Sequence, residues 1–226
     1  MSSDIDCGEL MKKFILILFF VIFVTPAVSA FECSSSSQCT IIGEVLIKQQ
    51  EYLEAIECFD KALEMNPEEY IALAFRAKAK YYLKDYNGVV ADATKSLEIT
   101  ENSLAYGIRG SANFELGEIE KCVVDTTKAI EINKNYMKCY QVRAKAKLKL
   151  EEYVEALSDA SVAVRLDNKC PQNYEIKAKA LMGIKDYRTA IEDFNKASEL
   201  FLDNDDKKNS KEMLKLSKKC KRLVKW

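Results

Sequence analysis

The chain has 226 residues, 34 Lys plus Arg against 35 Asp plus Glu, 48% hydrophobic residues, 7 Gly, 3 Pro and no His. So little Gly and Pro excludes a β-sandwich or barrel, which needs turn residues every few positions. A net charge near zero excludes a chain-wide attraction to nucleic acid, and without His there is no Ser-His or Cys-His dyad and no imidazole metal ligand.

At the amino end, Lys12 and Lys13 precede an unbroken apolar run from Phe14 to Val24, then Thr25-Pro26 and Ala27-Val28-Ser29-Ala30. A membrane-spanning helix needs about 20 apolar residues, and this run has 11 before Pro26 breaks the pattern. The short positive region, the apolar stretch and the small-residue end read as a secretory signal peptide over residues 1–30, cleaved after Ala30. Met11 makes a cleaner start than Met1, because it discards Asp4, Asp6 and Glu9. The expected location is the secretory pathway, either the endoplasmic-reticulum lumen or outside the cell. Residues 31–35 follow as a short linker. The remaining chain balances 32 basic against 32 acidic side chains, but residues 205–226 hold nine of the basic ones and only three acids.

Comparing the chain with itself shows an internal repeat. Phe75-Arg76-Ala77-Lys78-Ala79-Lys80 through Asp85-Tyr86 returns as Val142-Arg143-Ala144-Lys145-Ala146-Lys147 through Glu152-Tyr153. It returns again as Ile176-Lys177-Ala178-Lys179-Ala180-Leu181 through Asp186-Tyr187, 34 residues further on. A second amphipathic stretch follows each copy, as at Ala156–Ala163 and Ala190–Ala197, and Ala55–Ala62 is its counterpart at the start. A period of this length implies helix–turn–helix units that stack, since one helix pair cannot bury its own apolar face. Small residues allow two helices to approach closely, and aromatics fill the wider gaps.

These residues resemble the tetratricopeptide repeat. The unit at 36–69 supplies Gly43, Tyr52, Ala55, Phe59, Ala62 and Pro67, close to that family's pattern. Units at 70–102, 103–136, 137–170 and 171–204 follow in register, the third being the most degenerate with Gly110, Cys122 and Thr126. The implied fold is all-α, a right-handed superhelical solenoid of about five repeats over 36–204. Residues 205–226 would form a basic capping helix with Met213, Leu216, Cys220 and Leu223 on one face.

Within the repeats a charge pair recurs. Arg76, Arg109, Arg143 and Lys177 precede the small residue of the first helix, and Asp92, Asp125, Asp159 and Asp193 share one position of the second. The first repeat has Ile42 and Cys58 there, losing both charges together. The expectation is a structural bridge inside each of repeats two to five. Cys33, Cys39, Cys58, Cys139 and Cys170 are candidates for disulfide pairing, with connectivity left open; Cys122 reads as a small buried hydrophobe.

No Gly-rich phosphate loop, nucleophile elbow or paired Cys-x-x-Cys spacing occurs, so no enzyme activity, catalytic residue, cofactor or metal is expected. In the resembled family the first helices line a concave groove that holds an extended peptide. The matching positions here are Lys48, Ile71, Lys78, Tyr81, Tyr82, Phe114, Gln141, Lys145, Lys149, Lys179 and Met182. Lysines among aromatics suit a protein or peptide partner with acidic and apolar segments, and the uncharged Leu104 and Phe114 suggest that the apolar part lies centrally. The family's carboxylate clamp for acidic chaperone tails is not expected, because Thr40, Glu44, Phe75, Leu104 and Ile108 stand where its Lys, Asn and Arg residues belong. A signal peptide ahead of such repeats also resembles the repeat part of endoplasmic-reticulum J-domain co-chaperones, although a His-Pro-Asp motif is missing. The implied role is a non-catalytic adaptor or client holder in the secretory pathway. A secreted protein acting outside its cell, or a binder of RNA or anionic membrane through the basic tail, are the alternatives.

Overall fold

The computed structural model describes residues 33–224; the expected signal peptide over residues 1–30, its expected cleavage after Ala30, Cys7 and the last two residues lie outside them. Among the described residues eleven α-helices follow one another with no strand. They are α1 (Ser36–Gln49) and α2 (Tyr52–Met65), α3 (Tyr70–Tyr82) and α4 (Tyr86–Ile99), and α5 (Ser103–Glu115) and α6 (Ile119–Ile132). Then come α7 (Met137–Lys149) and α8 (Tyr153–Leu166), α9 (Pro171–Gly183) and α10 (Tyr187–Asp203), and finally α11 (Lys207–Leu223). Each helix packs on its neighbours in sequence, and α1, α3, α5, α7 and α9 also touch one another in succession. These five therefore form an inner layer, backed by an outer layer of α2, α4, α6, α8 and α10. The architecture is a helical repeat solenoid.

Local chemistry sets the turns. Inside each pair a single residue takes left-handed backbone: Gln50, Lys84, Gly117, Glu151 and Lys185. Only Gly117 does so without a Cβ penalty. Between pairs, the side chains of Asn66, Asn133 and Asp167 accept from the backbone N–H two residues on, closing local turns. Asn102 instead accepts from the Ala105 N–H and caps α5.

Packing follows the small-residue positions. A Cβ on Gly43 would lie 2.5 Å from the Phe59 ring, so only glycine lets α1 and α2 meet there. Ala77, Ala144 and Ala178 take the same role further along and are fully buried. Phe59 and Phe194 fill the gaps these residues leave, each worth about 1.5–3 kcal/mol relative to exposure.

Helix α11 closes the carboxyl end by burying Ser210, Met213, Ser217 and Cys220, and Phe201 of α10 is sealed beside them. The Ser198 and Ser210 hydroxyls lie 2.7 Å apart, and Ser217 donates to Asn195 at 2.9 Å. Leu216 is partly buried there, but Leu223 is 41% exposed, against the sequence expectation. Ten residues beyond Met213, a helix has rotated about 80° away from the buried line.

Candidate functional site

The inner layer carries two clefts. The first, about 360 Å³, lies between α3, α5 and the start of α7. Buried Ile108 and Ser111 form its floor, while Tyr81, Tyr82, Lys78, Tyr136 and Lys138 form its walls. Tyr82 stacks on Tyr52 at 4.7 Å between ring centres, and Tyr81 packs edge-on to Tyr82 and against Tyr86. Burial, aided by the Glu115 carboxylate, pushes the Tyr81 phenol up to about 12, so it is a hydrogen-bond donor at neutral pH. The Lys78 amine sits 5.7 Å over the Phe75 ring.

The second cleft, about 390 Å³, is formed by Phe114 of α5 with Lys145, Leu148 and Lys149 of α7 and Glu175, Ile176 and Lys179 of α9. The Lys149 amine lies 4.7 Å over the Phe114 ring, and Lys179 pairs with Glu175 at 2.5 Å. Among the described residues Lys78, Lys138, Lys145 and Lys149 have no ion-pair partner, as is also true of exposed lysines off the groove such as Lys84, Lys95, Lys134 and Lys185, so what sets the four apart is their place beside the aromatic and aliphatic walls of the clefts.

Of the groove positions expected from sequence, Lys78, Tyr81, Tyr82, Phe114, Lys145, Lys149 and Lys179 line these clefts. Four do not. Gln141 is 5% exposed and donates to Asn173 at 2.5 Å, with the Cys170 thiol also in reach, so it fastens α7 to α9. Met182 packs into the core of the last repeat. Lys48 pairs with Glu44 on α1, and Ile71 is exposed but lines neither cleft. Sequence reading missed Tyr136, Lys138, Ile108, Ser111, Leu148, Glu175 and Ile176. Lys138 was within reach, because it stands five residues before Arg143 just as Ile71 stands five before Arg76.

Behind the clefts runs a ladder of buried ion pairs. The guanidinium forks of Arg76, Arg109 and Arg143 each grip their Asp twice, at 2.6–2.8 Å on Asp92, 2.8–2.9 Å on Asp125 and 2.7–2.8 Å on Asp159. Lys177 lies 2.9 Å from Asp193. Each Arg also reaches the preceding repeat: Arg76 to Asp60 at 2.6 Å, Arg109 to Thr94 at 3.1 Å and Arg143 to Thr127 at 2.9 Å. The sequence expectation confined the contact to one repeat; the planar fork has a spare N–H that reaches the outer helix of the repeat before.

A second donor arrives one turn after the Arg. Lys80 reaches Asp92 at 2.7 Å, Asn113 reaches Asp125 at 3.0 Å and Lys147 reaches Asp159 at 2.9 Å. At the fifth repeat that position is the buried Leu181. Lys177 is thus the one cation on Asp193 among the described residues, with no second donor to share the buried carboxylate. Burial penalises both carboxylates, but Arg76 and Lys80 outweigh it and hold Asp92 below the usual carboxylate range, whereas Asp193 is pushed above it.

Cys33 and Cys39 form a disulfide, with Cα atoms 5.2 Å apart, across the start of α1. The other candidate cysteines are free thiols. Cys58 is buried in the first core, where desolvation raises its pKa, and Cys39 is already taken. Cys139 is buried under Gly107 and pushed up to about 12 by burial, while Cys170 faces Gln141 and Gln172. Cys122 is fully buried as a small hydrophobe. No cluster of His, Cys, Asp or Glu among the described residues could hold a metal ion.

Residues 39–69 match the family model of the tetratricopeptide repeat. The fold is similar to a thermophilic tetratricopeptide protein of Thermus thermophilus, at 20% identity and TM-score 0.64, covering 80% of this chain and 99% of that one. It is similar to MamA from Desulfovibrio magneticus RS-1, at 17% identity and TM-score 0.64, covering 76% and 98%. A third is YrrB, described as a tetratricopeptide protein with an unusual peptide-binding site, at 17% identity, TM-score 0.61 and coverage of 79% and 92%. At these identities the likeness is one of fold. No curated protein matches the chain.

Proposed function

We propose that this chain is a non-catalytic scaffold whose concave face holds extended peptide segments of partner proteins. The observation that carries the reading is the pair of clefts on the inner layer, where aromatic and aliphatic surface lies beside Lys78, Lys138, Lys145 and Lys149, none of which has an ion-pair partner among the described residues. Rings supply apolar area and amines supply charge for an acidic, amphipathic segment. The fold shared with YrrB is one that has carried a peptide-binding site. In compartment, the role is an adaptor or client holder of the secretory pathway, like the repeat part of J-domain co-chaperones but without ATPase stimulation. Lys12-Lys13 with the Phe14–Val24 run supports that placement, and the Cys33–Cys39 disulfide suits an oxidising lumen.

The test is crosslinking capture of partners by the chain lacking residues 1–30, compared with a Tyr81→Ala, Tyr82→Ala, Phe114→Ala variant. Loss of the captured set is expected, and equal capture would move the site to another face. A tagged full chain that stays in the cytosol would remove the secretory placement.

A second reading rests on α11, whose outward side carries Lys211, Lys215, Lys218 and Arg222 with Lys207–Asp205 its only ion pair among the described residues. Like charges three and four residues apart repel, and a polyanion would relieve them. Salt-sensitive binding to RNA or anionic vesicles that needs α11 would favour this reading over the groove.

A further inference from the structure

The two clefts are one site repeated. Five positions of the second follow equivalents of the first by two repeat lengths: Lys78 and Lys145, Tyr81 and Leu148, Tyr82 and Lys149, Ile108 and Ile176, Ser111 and Lys179. A peptide anchored in one cleft by an apolar side chain therefore meets a second cleft at matching positions along the groove, with Leu148 and Lys149 in place of Tyr81 and Tyr82. Neighbouring packed helices lie about 8–10 Å apart, so clefts two repeats apart are separated by roughly 16–20 Å. An extended chain advances about 3.3–3.6 Å per residue, and the two anchors would sit about five residues apart.

Helix α7 is the wall between the clefts. Its amino end gives Tyr136 and Lys138 to the first, and its middle gives Lys145, Leu148 and Lys149 to the second. Lys138 and Lys145 are two turns apart on one side of α7, and neither has an acidic partner among the described residues. Of the carboxylates on the flanking inner helices, Glu175 of α9 is committed to Lys179, while Glu115 of α5 is felt by Lys138 but forms no ion pair with it. Solvent reaches much of the Lys138 side chain, which walls the first cleft, and desolvation together with repulsion from Lys145 lowers its pKa despite the opposing pull of Cys170 and Glu115. An anion placed there would relieve a strain that the fold itself leaves in place.

Resting on the groove reading above, we infer that the ligand is a bipartite segment: two apolar side chains about five residues apart, one in each cleft, with an acidic side chain between them over Lys138 and Lys145. This reverses the charge order expected from sequence, which put the apolar part centrally. Phe114 fails as a charge-free centre because Lys149 covers its ring and Lys145 stands beside it.

The test uses fluorescein-labelled peptides with a Ser/Gly frame, one Phe and one Leu as anchors and a single central Glu, measured by anisotropy. Replacing the central Glu by Lys should weaken binding about tenfold, and only about twofold against a Lys138→Gln, Lys145→Gln variant, since partly exposed pairs are individually weak. Anchors moved to a separation of two or of nine should bind more weakly than those about five apart. The inference is overturned if the Glu-to-Lys penalty is the same in the double variant, or if anchor spacing has no effect. The groove reading fails separately if the Tyr81→Ala, Phe114→Ala variant binds every peptide as tightly as the parent. Absence of binding by all peptides removes both. Circular dichroism melts of each variant establish that loss of binding is not loss of fold.

Discussion

Replacing Asp92 and Asp193 by Asn, one at a time, should give opposite outcomes although the two residues are repeat equivalents. Asp92 is 3% exposed and receives both N–H groups of the Arg76 fork and the Lys80 ammonium at 2.6–2.8 Å. Asn there leaves two cations buried against a neutral amide. Breaking a buried ion pair costs roughly 3–5 kcal/mol, and because Arg76 keeps Asp60 the low end, about 3 kcal/mol, is expected. Asp193 has a single cation among the described residues, Lys177 at 2.9 Å, and no second donor like Lys80, so Asn should change stability by no more than about 0.5 kcal/mol. The pH dependence separates the two further. Asp92 is held below its unfolded pKa, so its stabilisation is complete above the unfolded value and fades as pH falls through the folded one. The Asp92→Asn deficit should shrink on acidification. Asp193 is raised, so its ionised form destabilises the fold at neutral pH, and this is relieved as pH falls through its folded pKa. Asp193→Asn should be neutral or slightly stabilising near neutral pH and lose that advantage in acid. Urea midpoints followed by circular dichroism at both pH values decide it. Equal costs for the two substitutions at neutral pH would refute the argument from partner number.

Truncation before Asp205 should uncover Phe201 and the α10 surface beneath Met213, and lower the melting temperature by many degrees, whereas a merely solvated tail would leave it unchanged. Glu151→Gly should stabilise by about 0.5–1 kcal/mol in urea melts, because Glu151 holds φ at +61° and glycine takes that region freely. Gly107→Ala should cost about 1–3 kcal/mol, since the new Cβ would stand 2.8 Å from Cys139 Sγ and from the Tyr136 ring.

The repeat and its charge pair were legible because each is a spacing. Sixteen residues separate Arg76 from Asp92, Arg109 from Asp125, Arg143 from Asp159 and Lys177 from Asp193, and a constant spacing in a repeat means a constant contact. What sequence could not supply was which way a shared position faces in a given repeat. Gln141 occupies the position of Ala74, Gly107 and Glu175, yet only Glu175 lines a cleft, because Asn173 draws the Gln141 amide inward. The same limit applies to the thiols: Cys58 and Cys139 read as pairing candidates by their place on an edge, but each is enclosed by its own core. Lys138 was missed although its equivalent Ile71 was already placed in the groove, because that position was not carried from the second repeat to the fourth.

The third repeat ties these points together. It departs furthest from the family pattern, and on α5 the departure includes two small buried residues: Gly107 stands where other repeats have Gln141 and Glu175, and Ser111 where they have Lys78, Lys145 and Lys179. Gly110 lets α5 lie against Thr126, where a Cβ would stand 2.9 Å away, and Gly107 lets Cys139 and Tyr136, at the start of α7, close over α5. A helix this slender cannot fill the space between the tyrosines of α3 and the amino end of α7, so a hollow floored by Ile108 and Ser111 remains. Where α7 meets α9, the helices carry bulkier Leu148, Ile176 and Lys179, yet the hollow persists because Phe114 and the lysines stand along its sides rather than across it. The degeneracy that weakens the sequence resemblance at repeat three is thus the physical origin of the first cleft. A substitution that restored larger residues on α5 would bring the repeat nearer its pattern while closing the groove, which is why Gly107→Ala should impair peptide binding more than its effect on stability alone explains.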